Sequence, residues 1–279
     1  MLSLILAVLS SSMVSIIMRL SDRRVKHNLG MLTMNYIVCA LLAGSFGGFR
    51  GAFDLSSPQV GLTLAMGTVN GFLYLAGFIL MQMNIRKNGV VLSSIFQKLG
   101  LLVTLVVSVV FYREIPNLLQ GAGFVLAIAA ILLMNYQKGS TNLGSRGALI
   151  AMLLACGMGD AMAKVFTESG VAALEGQFLF YTFAVAMLMC FVMMTVKGQR
   201  IGTGEMLFGT MIAVPNFFSS KFLLGALESL SAVIVYPVFS VGTILVVTLA
   251  GVLAFRERLG KQQWIGVAVI LLALVLLNI

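Results

Sequence analysis

Residues 111–123 read FYREIPNLLQGAG, and residues 254–266 read AFRERLGKQQWIG. The second stretch lies on the first at an offset of 143 residues, which sets Arg113 and Glu114 on Arg256 and Glu257, Gln120 on Gln263 and Gly123 on Gly266. The same offset carries forward to Ala130 on Ala273, Leu133 on Leu276 and Asn135 on Asn278. It carries backward to Val90 on Val233, Phe96 on Phe239, Leu102 on Leu245 and Val103 on Val246. Polar positions match as well as aliphatic ones, so the chain is a duplicated unit rather than two greasy segments that look alike.

The unit is built from membrane-length helices. Apolar residues make up 60% of the 279, charged residues 10%, and the mean hydropathy is +1.06, too little polar surface to cover a water-soluble globule. The apolar residues fall into runs of the length an α-helix needs to cross about 30 Å of hydrocarbon. These runs are Met1 to Met18, Leu29 to Phe49, Val60 to Met83, Gly89 to Tyr112, Asn117 to Tyr136, Gly147 to Thr167, Leu174 to Val196, Gly204 to Leu227, Leu230 to Phe255 and Lys261 to Ile279. The expectation is an all-α integral membrane protein of ten transmembrane helices, in two five-helix halves, 1–140 and 141–279. Five is odd, so the second half enters the bilayer from the opposite side and the repeat has inverted topology. No basic residue precedes Arg19 and no small-residue cleavage pattern follows the first run, which is therefore expected as a mature helix rather than a signal peptide.

The net charge of +9 is a topology signal. Arg23, Arg24 and Lys26 follow the first run, Arg86 and Lys87 the third, Lys138 and Arg146 the fifth, Lys197 and Arg200 the seventh, and Arg256, Arg258 and Lys261 the ninth. The even connections hold Arg50 and Arg113, while Glu168 and Glu175 flank the joint after the sixth run. The positive-inside rule puts the odd connections in the cytoplasm and both termini outside. Nucleic acid is excluded as the partner of this basicity; the expected partners are the lipid bilayer and a small-molecule substrate. Cys39, Cys156 and Cys190 lie singly in apolar runs and read as packing residues, with no disulfide, metal or cofactor expected.

The doubled pattern of aromatic, acidic residue, short polar turn and glycine-bearing final helix, Phe111-Tyr112-Arg113-Glu114 through Gly123 and Phe255-Arg256-Glu257-Arg258 through Gly266, resembles the drug/metabolite transporter superfamily in its ten-helix EamA-like branch. The resemblance covers the whole chain. It implies a multi-pass transporter of the cytoplasmic membrane, with helices 1, 3, 4, 6, 8 and 9 around a cavity. It also implies cytoplasmic termini, opposite to the orientation given by the loop charges. Ser94 stands where the family often has a proline, the equivalent of Pro237.

Polar residues inside the runs mark the candidate site, because an ionisable group in hydrocarbon is costly unless it faces a cavity or a partner. Lys98 lies nine residues beyond Gly89, about 14 Å along its helix and near mid-bilayer. It borders a polar stripe of Ser94, Gln97, Thr104 and Ser108. Lys98 and Gln97 are substrate-binding candidates, with an interhelical hydrogen bond as the structural alternative. Asn70 and Tyr74 share a face of the third run; Asn216, Lys221 and Tyr236 come from the eighth and ninth. Lys221 is also close enough to its helix end to snorkel. Asp160 and Lys164, at i and i+4, are expected to neutralise each other and are candidates for coupling or gating, Asp160 being the candidate proton carrier. Pro215 and Pro237 are candidate hinges, or packing kinks. Runs 2, 5, 7 and 10 are polar-poor and face lipid or a partner subunit, as in a homodimer.

Three intramembrane lysines against one acid favour an anionic or zwitterionic metabolite over a cationic drug. The small cation exporters of the resembled superfamily use a glutamate in helix 1; this first run has serines at 3, 10, 11, 12 and 15 and no carboxylate. A flippase for a lipid-linked or amphipathic substrate is the alternative the same fold allows. An enzyme is not expected: His27 is the single histidine, and no paired-carboxylate or metal-binding constellation appears.

Overall fold

The computed structural model describes residues 2–22, 24–50, 58–112, 117–119, 121–123, 125–126, 129, 143–230, 232–257 and 259–276. The helices are α1 Leu2–Ser21, α2 Asn28–Ala43, α3 Pro58–Asn88, α4 Val90–Lys98 and α5 Leu101–Tyr112, then α6 Leu143–Ser169, α7 Glu175–Val196, α8 Thr203–Leu227, α9 Ala232–Leu253 and α10 Lys261–Leu276. A π-helical turn, Gly44–Gly48, ends α2, and it kinks at Gly47 with φ of 110°. Among the described residues every regular element is helical, and six helices are long and apolar enough to cross a bilayer, with shorter apolar helices beside them. Most of the run Asn117 to Tyr136 lies outside the described residues, as do Arg113 and Glu114.

The run Gly89 to Tyr112 is not one helix, contrary to the hydropathy expectation. It stops at Lys98, turns through Leu99 and Gly100, and resumes at Leu101. Across the break the amides of Leu102 and Val103 reach the carbonyls of Leu99 and Gly100 at 3.0 and 2.8 Å, the tight i to i+3 pattern of a 3₁₀ turn. Close backbone approach accompanies it: a Cβ on Gly100 would lie 2.7 Å from the Gly157 nitrogen of α6. The joint into α4 is a single residue, Gly89, at φ of 82°. Only glycine adopts that conformation without strain, and there a side chain would also collide with the Glu257 carboxylate.

The helices close into a ring. α1 packs on α8, α8 on α2, α2 on α7, α7 on α3, α3 on α6, α6 on α4 and α5, α4 on α9, and α9 back on α1. Exchanging α1 with α6, α2 with α7, α3 with α8, and the α4–α5 pair with α9 reproduces the same set of neighbours, so the two halves are packed equivalently. Large apolar side chains such as Leu154, Leu188, Val192, Leu207, Leu249 and Ile265 remain on the outside. This is the surface of a multi-pass membrane protein.

The connections gather at two ends. Arg86 of α3 ion-pairs with Asp22 at 2.6 Å and donates to Asn28; Leu29 donates its amide to Gln199; Lys26 and His27 donate theirs to Glu205; Glu257 accepts from Val90 and Val91. The joints after α1, α3, α7 and α9 therefore meet at one end, called here the basic face. At the other end the Gln177 amide donates to the Arg50 carbonyl, and Gly48 abuts Gly176.

Because Gly157 sits directly against the Gly100 backbone, Gly157→Val should cost about 1–3 kcal/mol or more through overpacking. Gly61→Val, on an open surface, should be nearly neutral. Thermal unfolding of both variants in detergent micelles checks this.

Candidate functional site

A cavity lies inside the ring. It holds about 640 Å³ of space between side chains, counting the part open to the outside. Among the described residues its lining comes from α1 (Ser11, Val14), α3 (Tyr74, Phe78 and neighbours), α4 (Gln97, Lys98), α6 (Cys156, Asp160), α8 (Asn216, Ser219, Ser220) and α9 (Phe239). These six helices are the ones that the polar pattern picks out of the sequence.

Lys98 is the last residue of α4 and is only 6% exposed. Its ammonium donates to Ser11 Oγ at 2.9 Å and lies 3.8 Å from the centre of the Phe239 ring. A charge at mid-bilayer costs about 2.5–3.5 kcal/mol on insertion scales. A charge-assisted hydrogen bond contributes about 1.5–3 kcal/mol and a desolvated cation–π contact about 2 kcal/mol. The two contacts are thus of the size needed to hold the group in place, and the residue also lines the cavity. Next to it the Gln97 side-chain oxygen is buried with no hydrogen-bond partner. Shielded in this conformation, such an orphaned acceptor beside a cavity is left for a ligand's donor to satisfy when the wall opens to it.

The opposite wall is tied together across the two halves. Tyr74 OH and Ser220 Oγ lie 2.9 Å apart, Tyr36 donates to the Tyr74 carbonyl at 3.1 Å, and Ser220 donates to the Asn216 carbonyl. Asn216 donates to Asn35 at 3.4 Å and so fixes its own orientation from α2. Pro215 precedes it, buried, inside the continuous helix α8. Asp160 lines the cavity and interacts electrostatically with Lys98.

The structure brings Lys98, Gln97, Tyr74, Asn216 and Asp160 to one cavity. Asn70 and Tyr236 flank it without lining it: Asn70 donates to Thr182, and Tyr236 OH donates to the Asp160 carbonyl at 3.3 Å. Lys221 is not brought there. It sits 4.4 Å over the Phe46 ring, beside a second cavity with Glu175. The expected i to i+4 partnership of Asp160 with Lys164 is not among the ion pairs between described residues; the Lys164 ammonium lies 5.6 Å from the Tyr112 ring. Among the described residues the chamber therefore presents one cation, Lys98, and one acid, Asp160. α9 stays helical through Pro237, whose side chain lies outside the described set, as does that of Ser108. Thr104 turns to the Gly157 carbonyl of α6 and not to the cavity.

Ser11 and Phe239 were not singled out by sequence. A serine in a serine-rich helix and a phenylalanine in an apolar one carry no signal of their own. Only the position of Phe239 in the repeat, on Phe96, marks it.

A chamber lined by six helices of an apolar bundle, with charged and polar groups set into a largely apolar wall, is the architecture of a membrane carrier. The model of the EamA-like transporter family matches residues 1–136 and again 145–279, so this chain belongs to that family. Its members are transporters rather than enzymes. An uncharacterised protein of Haemophilus influenzae is 26% identical over 277 residues, spanning 95% of this chain and 93% of that one. A solved crystal structure superposes with a TM-score of 0.64 over 99% of this chain and 94% of its own, at 14% identity, a likeness of fold alone.

Removing the Ser11 hydroxyl leaves Lys98 with one fixed contact fewer. Ser11→Ala should weaken ligand binding at the chamber roughly tenfold while leaving the fold intact, the size of one charge-assisted hydrogen bond. Ligand-dependent thermal shifts of the two proteins measure it.

Proposed function

We propose that this protein is a secondary transporter of the cytoplasmic membrane that moves a small zwitterionic or anionic metabolite by alternating access. The observation that carries the reading is the Lys98 ammonium, held by Ser11 and Phe239 at the edge of a chamber that also contains the orphaned Gln97 oxygen and Asp160. A negative group on the cargo meets Lys98, and a donor group meets Gln97 and Asp160. A zwitterion satisfies both at once. Tyr74 and Asn216 supply directional hydrogen bonds from the facing wall.

Two equivalently packed halves support the mechanism. On this reading they form an inverted repeat of five helices each, 1–140 and 141–279, which exchange conformations and open the chamber to one side and then the other. Asp160 is the group that couples cargo to protons, with Lys164, Pro215 and Pro237 in gating. The basic face is cytoplasmic by the positive-inside rule.

The test is flux into proteoliposomes across amino acids, organic acids, sugar phosphates, organic cations and lipid-linked substrates, with and without a pH gradient. Carboxylate-bearing compounds should be taken up. Lys98→Ala should raise half-saturation roughly tenfold or more, the loss of a charged hydrogen bond, while Lys221→Ala should leave uptake near wild type. Asp160→Asn should remove the response to the pH gradient. Preference for a quaternary ammonium over carboxylates and phosphate esters, or flux of lipid-linked cargo alone, would overturn the reading.

A further inference from the structure

The basic face is closed by a short chain of charges. Arg19 of α1 ion-pairs with Asp22 at 3.4 Å and with Glu257 at 3.3 Å, and also donates to the Ile85 carbonyl at the end of α3. Arg86 ion-pairs with Asp22 at 2.6 Å. Glu257, in the joint after α9, is the member that crosses between the halves. Its two carboxylate oxygens accept the Val90 and Val91 amides at 2.8 and 3.2 Å, capping α4 from another part of the chain. Its side chain is 11% exposed.

The same three helical elements meet again in the chamber. α4 ends there with Lys98, α1 supplies Ser11 and α9 supplies Phe239. Nine residues of α4 run from Glu257 at one end to the chamber at the other. A displacement of Glu257 must therefore reach Lys98, because a helix this short moves as one rod.

With the first helices shifted by two residues from the 143-residue register, the two halves carry like charges at the positions of Arg19 and Glu257. Laying residues 148–164, ALIAMLLACGMGDAMAK, on 3–19, SLILAVLSSSMVSIIMR, puts Lys164 on Arg19, and Glu114 is the counterpart of Glu257. Glu114 lies outside the described residues.

We infer that Glu257 is a positioning residue that joins closure of the basic face to the placement of Lys98: it holds the N-terminus of the lysine-bearing half-helix and, through Arg19, the end of α1. This rests on the transport reading, and it is tested by a measurement that needs no cargo. Cys156 lines the chamber and serves as a reporter. Full-length protein is placed in vesicles of determined orientation, a membrane-impermeant maleimide is added to one face, and the label on Cys156 is read from peptide mass.

Loss of the cap shifts the population toward chambers open to the basic face, so Glu257→Ala should raise labelling from that face about five- to thirtyfold. Glu257→Gln keeps one acceptor and should fall between. Arg19→Gln should raise labelling by less than Glu257→Ala. The exchange of Arg19→Glu with Glu257→Arg restores an ion pair but leaves no acceptor for the Val90 and Val91 amides, so labelling should stay high. Unchanged labelling in monodisperse Glu257→Ala overturns the inference, and so does a return to the wild-type rate in the exchanged pair. If Glu257→Ala does not fold, unchanged labelling in Glu257→Gln overturns it in the same way. The labelling is read without cargo, so raised labelling in Glu257→Ala beside an empty flux panel leaves this inference standing while the transport reading falls, and normal flux beside unchanged labelling sinks this inference alone.

Discussion

An ammonium group inside an apolar bundle is the constraint that orders this structure. Among the described residues no carboxylate forms an ion pair with Lys98; it has a serine hydroxyl, an aromatic face and a cavity. The hydroxyl and the ring come from different helices, so the cost of placing the charge there ties α1 and α9 to α4. Hydrogen bonds on the facing wall, from Tyr74 to Ser220 and from Asn216 to Asn35, repeat the pattern: polar atoms in this bundle join helices that are far apart in sequence. Apolar packing in a bilayer gives little preference for one helix neighbour over another. The scattered polar contacts add that preference, which is why they concentrate where the halves adjoin.

Membership of the EamA-like transporter family gives the protein its class, and the chamber gives the class a chemistry. Among the described residues its lining carries one cation, Lys98, and one acid, Asp160. The outer lysine, Lys221, rests on Phe46 beside Glu175 and so belongs to a different environment.

Much of this was legible in the sequence, and the exceptions have physical causes. Helix ends agree with the apolar runs for α6, α7 and α8 to within a few residues, because polar punctuation is sharp there. The chamber residues Gln97, Lys98, Asp160, Asn216 and Tyr74 stood out because polar groups in hydrocarbon are rare. Lys221 stood out for the same reason but faces elsewhere; composition marks a costly residue without giving the rotation of its helix. The break after Lys98 could not be seen in hydropathy, since Leu99 and Gly100 are as apolar as what surrounds them, and its neighbour Gly157 is remote in sequence. Arg256-Glu257 was legible as half of a repeated motif. What the glutamate does, capping a helix from the far half of the chain, depends on a contact 167 residues away.

The discontinuity at Leu99 and Gly100 also bears on how the surrounding lipid experiences any rearrangement of this protein. α5, with Val106, Val110 and Phe111 turned outward, forms part of the greasy perimeter, whereas α4 is almost wholly interior. Uncoupling the two lets the inner segment tilt while its continuation stays seated among acyl chains. Any such tilt would spare the bilayer most of the work of deformation, its cost falling on a handful of interior contacts.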